Sequence, residues 1–413
     1  MKQKDTVTIS KFSNGLTLLI EEMEHVESAA YELLIPGGVV TDEEDVVGAS
    51  LILPDLTGRG AGPYDSKALS DAFDDAGIRH GEGCGFDRFS YRGTVLKEKL
   101  ETALSLVAEM VLRPTMPEKE IENIRSPLLQ DINALDDNPS RRVMVELGKR
   151  YYPAPYARPS MGTEEGLKQT ELTTLQKIWS KTFRPEGAIL SVAGKVDKAA
   201  VIALAERLFG KWTGKGVTIP EFGKLPPHHS DHIHSDSAQL QIALSYPSAI
   251  FGTPDYYAAK VANGLLSGGM FGRLFIEVRE KRGLCYSVYS RHSATKKFGT
   301  MTAYAGTTPE RAHETLEVMV KELRSVVGTV TDEELSRAKA NLKSGLVMGE
   351  ESPGSRASSN AADYFLDGRV RPLTEIISEV DKVDSVAIDS HFNKFPAKSF
   401  MLLTLGSKKI EAP

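Results

Sequence analysis

Between Gly268 and Tyr286 the chain runs Gly268-Gly269-Met270-Phe271-Gly272-Arg273-Leu274-Phe275-Ile276-Glu277-Val278-Arg279-Glu280-Lys281-Arg282-Gly283-Leu284-Cys285-Tyr286. A fixed cation, Arg279, and a phenol, Tyr286, stand seven residues apart across an expected helix-to-strand join. Arginine stays charged at any working pH and presents a planar fork of donors. A tyrosine hydroxyl donates to an oxyanion without titrating near neutrality. The two together suit a peptide backbone and the oxygen of a tetrahedral intermediate, a role worth about 3–4 kcal/mol per donor. Gly268 and Gly269 would let an extended peptide approach the backbone closely. A plainer reading stands beside this one. Arg279 could pair with Glu277 or Glu280 on a solvated helix, with Tyr286 in the core, and Arg282 competes for the role of cation.

Other groups capable of chemistry carry less. His228-His229-Ser230-Asp231-His232-Ile233-His234 is rich in histidine, and strand alternation would set His232 and His234 on one face. It reads best as a solvated linker that could capture stray metal. His313-Glu314-Thr315-Leu316-Glu317 has no second histidine and falls on an amphipathic helix. His80 and Cys84 lie in a glycine-rich strand entry without partners in sequence. No G-x-S-x-G or similar context marks a serine or cysteine nucleophile.

The 413 residues are 41% hydrophobic and 26% charged, ordinary for a globular chain long enough for two domains. The net charge of -6 and the absence of a long Lys/Arg block argue against a nucleic-acid surface. Two distant cysteines exclude a disulfide scaffold and fit a reducing compartment. No apolar run reaches about 18 residues, so no membrane span is expected. Met1 to Thr6 has neither an apolar signal core nor a cleavage site. The expected location is cytoplasmic, or periplasmic where a signal peptide has been removed.

These candidates must be positioned by a chain that repeats itself. Ala188-Ile189-Leu190-Ser191-Val192-Ala193-Gly194 is echoed by Phe400-Met401-Leu402-Leu403-Thr404-Leu405-Gly406, and Phe183-Arg184-Pro185 by Phe395-Pro396. Asp137-Asn138-Pro139-Ser140-Arg141 is echoed by Glu351-Ser352-Pro353-Gly354-Ser355-Arg356, and Tyr91-Arg92-Gly93-Thr94 by Tyr304-Ala305-Gly306-Thr307. The four echoes keep one order and one register, which argues for duplication. Gly214, Gly216, Pro220, Gly223, Pro226 and Pro227 mark a linker. The expected division is residues 1–212, a linker 213–230, and 231–413.

Each half reads as α+β. Thr6 to Ser10 and Leu16 to Glu21 form strands joined at Asn14-Gly15, a hairpin signal, and Ala29 to Ile35 is a further strand. Apolar positions from Leu96 to Leu112 recur at helical period. Pro117 opens a second helix through roughly Leu135. Glu310 to Leu323 and Glu333 to Met348 mirror these helices, the latter with the capping box Thr331-Asp332-Glu333-Glu334. Gln239 to Tyr246 is a strand. Strands alternating with helix pairs suit a sheet covered on one face.

On residues 267–290, and on the frame Ile35-Pro36-Gly37-Gly38 through Gly48-Ala49-Ser50, the chain resembles the pitrilysin/insulinase/mitochondrial-processing-peptidase family. These are zinc peptidases of the inverted H-x-x-E-H type. The resemblance covers nearly the whole length and implies two homologous αβ halves, processing-peptidase/LuxS-like, each an antiparallel-rich sheet covered by helices. In the family the matching Arg and Tyr contact the peptide near the scissile bond, and the family spacing to Tyr286 selects Arg279 over Arg282. The family zinc site has two His one helical turn apart, a Glu before the second as general base, and a Glu from a later helix as third ligand.

Here those positions read Leu51-Ile52-Leu53-Pro54-Asp55. Leu51 has no donor atom, and Pro54 stands where the base belongs and removes a helical N–H. Asp55 and Asp131, the latter near the family spacing for the third ligand, are two carboxylates without imidazole, which do not make a tetrahedral zinc site. The resemblance therefore implies a chain that holds no metal or other cofactor itself. It would be the zinc-less subunit of a heteromeric metallopeptidase, gripping peptide substrates while a homologous partner carries zinc on H-x-x-E-H. A homodimer of the isolated chain would contain no such motif. The alternative is a non-catalytic structural or peptide-binding homologue, as in family members that serve as core subunits of respiratory complexes.

Overall fold

The structure is a computed structural model and describes residues 7–412. The start of the expected first strand, Thr6, lies outside the described residues.

Asn14-Gly15 turns the first hairpin. Gly15 takes φ 97°, and the Asn14 amide donates to the carbonyls of Phe209 (2.8 Å) and Trp212 (3.0 Å). Strands β1 (Thr8–Lys11) and β2 (Thr17–Glu22) flank it. After β3 (Ser28–Pro36), a two-stranded ribbon β4 (Gly60–Ala61) and β5 (Tyr64–Asp65), β6 (Arg79–Cys84), β7 (Arg88–Leu96) and β8 (Ile189–Gly194), the first sheet has the order β1-β2-β8-β3-β7-β6. β3 is buried along its length except at its two ends, as a strand covered on both faces must be. Leu18, Ile20, Leu33, Ile35, Leu190 and Val192 point into one core, with Ile52 and Leu53 of helix Ala49–Gly58 and Leu104 and Val107 of helix Leu100–Leu112.

The second sheet contains β9 (Ser230–His234), β10 (Leu240–Pro247), β11 (Cys285–Ala294), β12 (Gly299–Thr307) and β13 (Met401–Gly406), in the order β11-β12-β10-β13-β9. The first sheet without β1 reads β6-β7-β3-β8-β2, the same sequence of directions and neighbours. β2 runs parallel to β8, and β9 runs parallel to β13. The duplication inferred from Tyr91/Tyr304 and Ala188/Phe400 therefore holds strand for strand.

The compact units do not follow the two contiguous halves. One comprises residues up to 133, 158–220 and 349–372; the other comprises 134–157, 221–348 and 373 onward. Each unit thus contains a helix drawn from the opposite half of the sequence. Helix Pro353–Asp367 packs on the first sheet, where Ala361 meets Leu19, Leu34 and Ile189, and Ala357 meets Met23, Ala30 and Ala193. Helix Pro139–Tyr151 packs on the second, where Val143, Leu147 and Tyr151 meet Ala243, Met401, Leu403 and Leu405. The echo Asn138-Pro139/Ser352-Pro353 is the start of these two helices. Each has Pro at its first helical position and a capping side chain before it: Asn138 accepts from the Arg141 N–H, and Ser352 from the Ser355 N–H. The expectation of a sheet covered on one face is corrected here. The exchanged helix lies on residues of opposite strand parity to the main core, so both faces are dressed.

Charge fixes the first exchanged helix. Arg356 and Glu21, both buried, pair at 2.7 Å, the Asn360 amide donates to the same carboxylate oxygen at 2.7 Å, and Glu350 meets the other side of the guanidinium. Among the described residues no helix is long and apolar enough to cross a membrane. His232 and His234, expected in the linker, lie on β9.

Candidate functional site

In the second unit, helix Asp255–Ser267 stops at a glycine turn. A Cβ on Gly268 would stand 2.3 Å from the Gly264 carbonyl oxygen, so only glycine lets the chain fold back there. Gly269 takes φ 84° with nothing near its Cα substituent position, leaving open space above it. Sequence reasoning passed over Arg273, the residue that anchors the next turn of chain. Its guanidinium donates to both Glu334 oxygens (2.8 and 2.9 Å) and to the Thr329 hydroxyl and carbonyl (2.8 and 2.9 Å). Glu334 is the acid of the capping box seen in the sequence: Thr331 N–H donates to it at 3.0 Å and its own N–H donates to the Thr331 hydroxyl. Arg273 holds the Glu334 carboxyl down at about 2. The capping box was thus a signal for the anchor, because its acid has an oxygen to spare for a second partner.

From this anchor the chain runs as a π-helical turn, Phe275–Glu280, closed by the Lys281 N–H on the Ile276 carbonyl at 2.9 Å. Wide turns of this kind recur at functional sites because they offset side chains from α-helical register. The offset brings the Arg279 guanidinium between two rings, 4.9 Å from the Phe275 centre and 4.8 Å from the Tyr286 centre. Glu277, the carboxylate that could have neutralised it, is taken by Lys281 (2.6 Å) and Arg282 (2.7 Å), which also hold its pKa below the ordinary carboxylate value. Among the described residues the Arg279 side chain has no hydrogen bond or ion pair, whereas Arg282 is tied to both the side chain and the carbonyl of Glu277. Tyr286 is 78% exposed, not core. It sits where the β11–β12 register jumps between Cys285 and Ser287; such a bulge re-aims one side chain out of the ladder. The structure therefore brings Arg279 and Tyr286 into contact and leaves the Tyr286 ring facing solvent.

The other candidate region lies in the first unit. Gly48, at φ 110°, caps helix Ala49–Gly58. Its N–H donates to Asp42 at 2.8 Å, the Ser50 hydroxyl donates to the same buried carboxylate, and Arg158 donates to the Asp42 carbonyl at 2.6 Å. Burial raises the Asp42 carboxyl to about 6 against these bonds. Pro54 is inside the helix, and Ile52, Leu53, Pro54 and Leu56 are buried. Asp55 accepts from Arg59 at 3.0 and 3.3 Å. Asp131 is on helix Ile121–Asn133. Leu51 and Pro54 bring no donor, and the Asp55 carboxylate already serves an arginine, so these residues do not fit a zinc ion. Among the described residues no group of three or more His, Cys, Asp or Glu could hold a metal ion.

Four of the histidines weighed in the sequence have local partners. His232 Nδ1 is 2.8 Å from the Thr404 hydroxyl, His228 stacks on Tyr151, His313 neighbours Glu317 at 3.5 Å, and His80 stacks on Phe73 and lies 3.1 Å from Glu82. Cys84 is raised well above the ordinary thiol value, chiefly by burial, which leaves it a poor nucleophile.

Comparison with known proteins places the chain in a family. Residues 17–164 match the description "Insulinase (Peptidase family M16)" and residues 171–342 match "Peptidase M16 inactive domain". A curated relative from Rickettsia felis, called an uncharacterized zinc protease, is 29% identical over 95% of both chains. One of the same description from Bacillus subtilis is 28% identical over 90% of this chain and 91% of its own. The fold matches the crystal structure of a peptidase M16 inactive domain from Pseudomonas fluorescens with TM-score 0.90, 24% identity and 99% of each chain covered. It also matches a protease from Helicobacter pylori with TM-score 0.88, 20% identity, and 97% and 99% covered. The chain belongs to the insulinase family of peptidases, M16, and its second matched domain is of the inactive type.

Proposed function

We propose that this chain is the zinc-less subunit of a heteromeric zinc metallopeptidase of the cytoplasm. It supplies Arg279 and Tyr286 to a homologous partner that carries H-x-x-E-H and the metal. The observation that carries this reading is the state of Arg279: a guanidinium 4.9 and 4.8 Å from the ring centres of Phe275 and Tyr286, with the Glu277 carboxylate occupied by other cations. Ring contacts of this kind engage the cation without consuming its N–H donors. Those donors are then free for the carbonyls of an extended peptide, and the Tyr286 hydroxyl for the oxygen that gains charge as the carbonyl is attacked. The open space over Gly269 leaves room for the peptide backbone.

The test is reconstitution. This chain is mixed with an M16 homologue bearing H-x-x-E-H, and hydrolysis of a fluorogenic peptide is followed. The mixture should cleave faster than the sum of the two chains alone. A mixture that forms a stable complex without any gain in hydrolysis would make this chain a binding or assembly subunit instead.

A further inference from the structure

The exchanged helix Pro353–Asp367 does not cover all of its face of the first sheet. Beyond it β6 and the outer part of β7 form an open floor. On that face the register sets Arg79 opposite Thr94, Gly81 opposite Arg92, and Gly83 opposite Ser90. Two cavities of about 390 Å³ and 380 Å³ open over this floor and share Arg92 and Ser358 as walls, so they form one trough. The size falls in the range of pockets that enclose small ligands.

Two features of the trough are unexplained by the fold. The first is glycine at 81 and 83. Neither residue has a positive φ. A Cβ on Gly83 would meet nothing within 4 Å, and one on Gly81 only the Arg92 Nε at 3.8 Å. Backbone and packing would both accept a side chain, and glycine weakens a strand. Glycine in a strand interior marks a place where another backbone or a ligand comes close. The second feature is unspent positive charge. Among the described residues the side chains of Arg79 and Arg92 have no ion pair or hydrogen bond. Arg88 reaches Asp87 through Nε at 3.1 Å, but its Nη1 is buried without a partner. The acid on this face is engaged: Glu32 accepts from Ser90 at 2.7 Å and from Ser358.

We propose that this trough is a binding site for an extended acidic peptide lying across the sheet face. Its backbone passes over Gly81 and Gly83, and its carboxylates meet Arg79 and Arg92. β6 is six residues long, about 20 Å at strand rise, which matches a peptide of similar length. A bare polyanion suits the site less well, because Glu32 stands beside Arg92 on this face. The site is separate from Arg279 and Tyr286, which lie in the other unit, and it needs no metal.

Calorimetric titration of the full chain with acetylated Glu-Ala-Glu-Ala-Glu-Ala at low salt tests this, with the Lys-Ala counterpart and inorganic phosphate as competing probes. The Glu peptide should bind, and the Lys peptide and phosphate should not. Gly83→Val fills the floor with a residue that strands favour, and Arg92→Gln removes one exposed charge. Each should weaken binding about tenfold or more, while Arg279→Ala should bind the peptide like the parent. No binding to the parent chain, equal binding of the Lys peptide, displacement by phosphate, or affinity unchanged in Arg92→Gln overturns the proposal. So does binding that survives Gly83→Val, since addition to the β6 edge would not be blocked by a side chain on the face. The Arg279→Ala arm keeps this result independent of whether the chain takes part in peptide cleavage.

Discussion

Arg279 is held by rings, so charge alone should not replace it. Arg279→Lys keeps the cation but loses the planar fork of donors. In a complex with a zinc-bearing homologue, Arg279→Lys should lower kcat/KM nearly as far as Arg279→Ala, by roughly 10²-fold. Phe275→Leu, which removes one of the two rings, should have a smaller effect than either. None of the three should shift the melting temperature appreciably, because no ion pair is broken. At Asp42 the effect is on stability and depends on pH. Burial holds its carboxyl up at about 6, so the protonated form is favoured by folding. The contribution is complete below the unfolded value near 4 and is lost as pH rises through 6, a fall of up to about 3 kcal/mol. Urea unfolding at pH 4.5 and 7 should show Asp42→Asn gaining on the parent chain as pH rises. The sequence made Arg279 and Tyr286 visible as types at a spacing. It left Arg282 in competition, because which cation meets Glu277 depends on the π-helical offset, and residue spacing along an assumed α-helix does not contain that offset.

At the scale of elements, the exchanged helices are where pattern reading stopped short. Asn138-Pro139 and Ser352-Pro353 announced two helix starts, yet nothing in their periodicity says which sheet a helix will cover. The partner is written in long-range complementarity: Ala357 and Ala361 fit close against β3 and β8, and Arg356 finds Glu21 across 335 residues of chain. Glu21→Ala leaves Arg356 and Asn360 buried short of a partner and should cost about 3–5 kcal/mol in chemical denaturation. The double variant Glu21→Leu with Arg356→Leu should recover part of that loss, since it removes both buried charges together but leaves the Asn360 amide without its acceptor. A double variant as unstable as Glu21→Ala would mean that the helix is seated by something other than this ion pair. The strands that the sequence bounded, among them β2, β3 and β10, were legible to within a residue or two. β3 and β10 are mostly apolar, broken by Glu32 in the first and by Gln241 and Ser245 in the second, and Asn14-Gly15 fixes the first hairpin.

For the whole molecule, a duplicated chain has kept different chemistry in each half. In the first half the helix after Gly48 carries Leu51, Pro54 and Asp55, the last engaged by Arg59; on the proposed reading these stand at the ligand positions of a metal site. The second half keeps a cation and a phenol in contact on a rigid anchor. On the proposed function such a molecule holds a peptide and steadies charge on it, with water activation left to another chain. Kinetics of the mixed complex measure this most directly. Peptide hydrolysis is compared for the parent chain and Arg279→Ala, each saturating the same zinc-bearing homologue, with complex formation verified by sedimentation. Assembly should be equal, and kcat/KM should drop roughly 10²-fold in the variant. Equal hydrolysis by the two complexes, or cleavage by this chain alone with zinc bound to it, would contradict the division of labour drawn here.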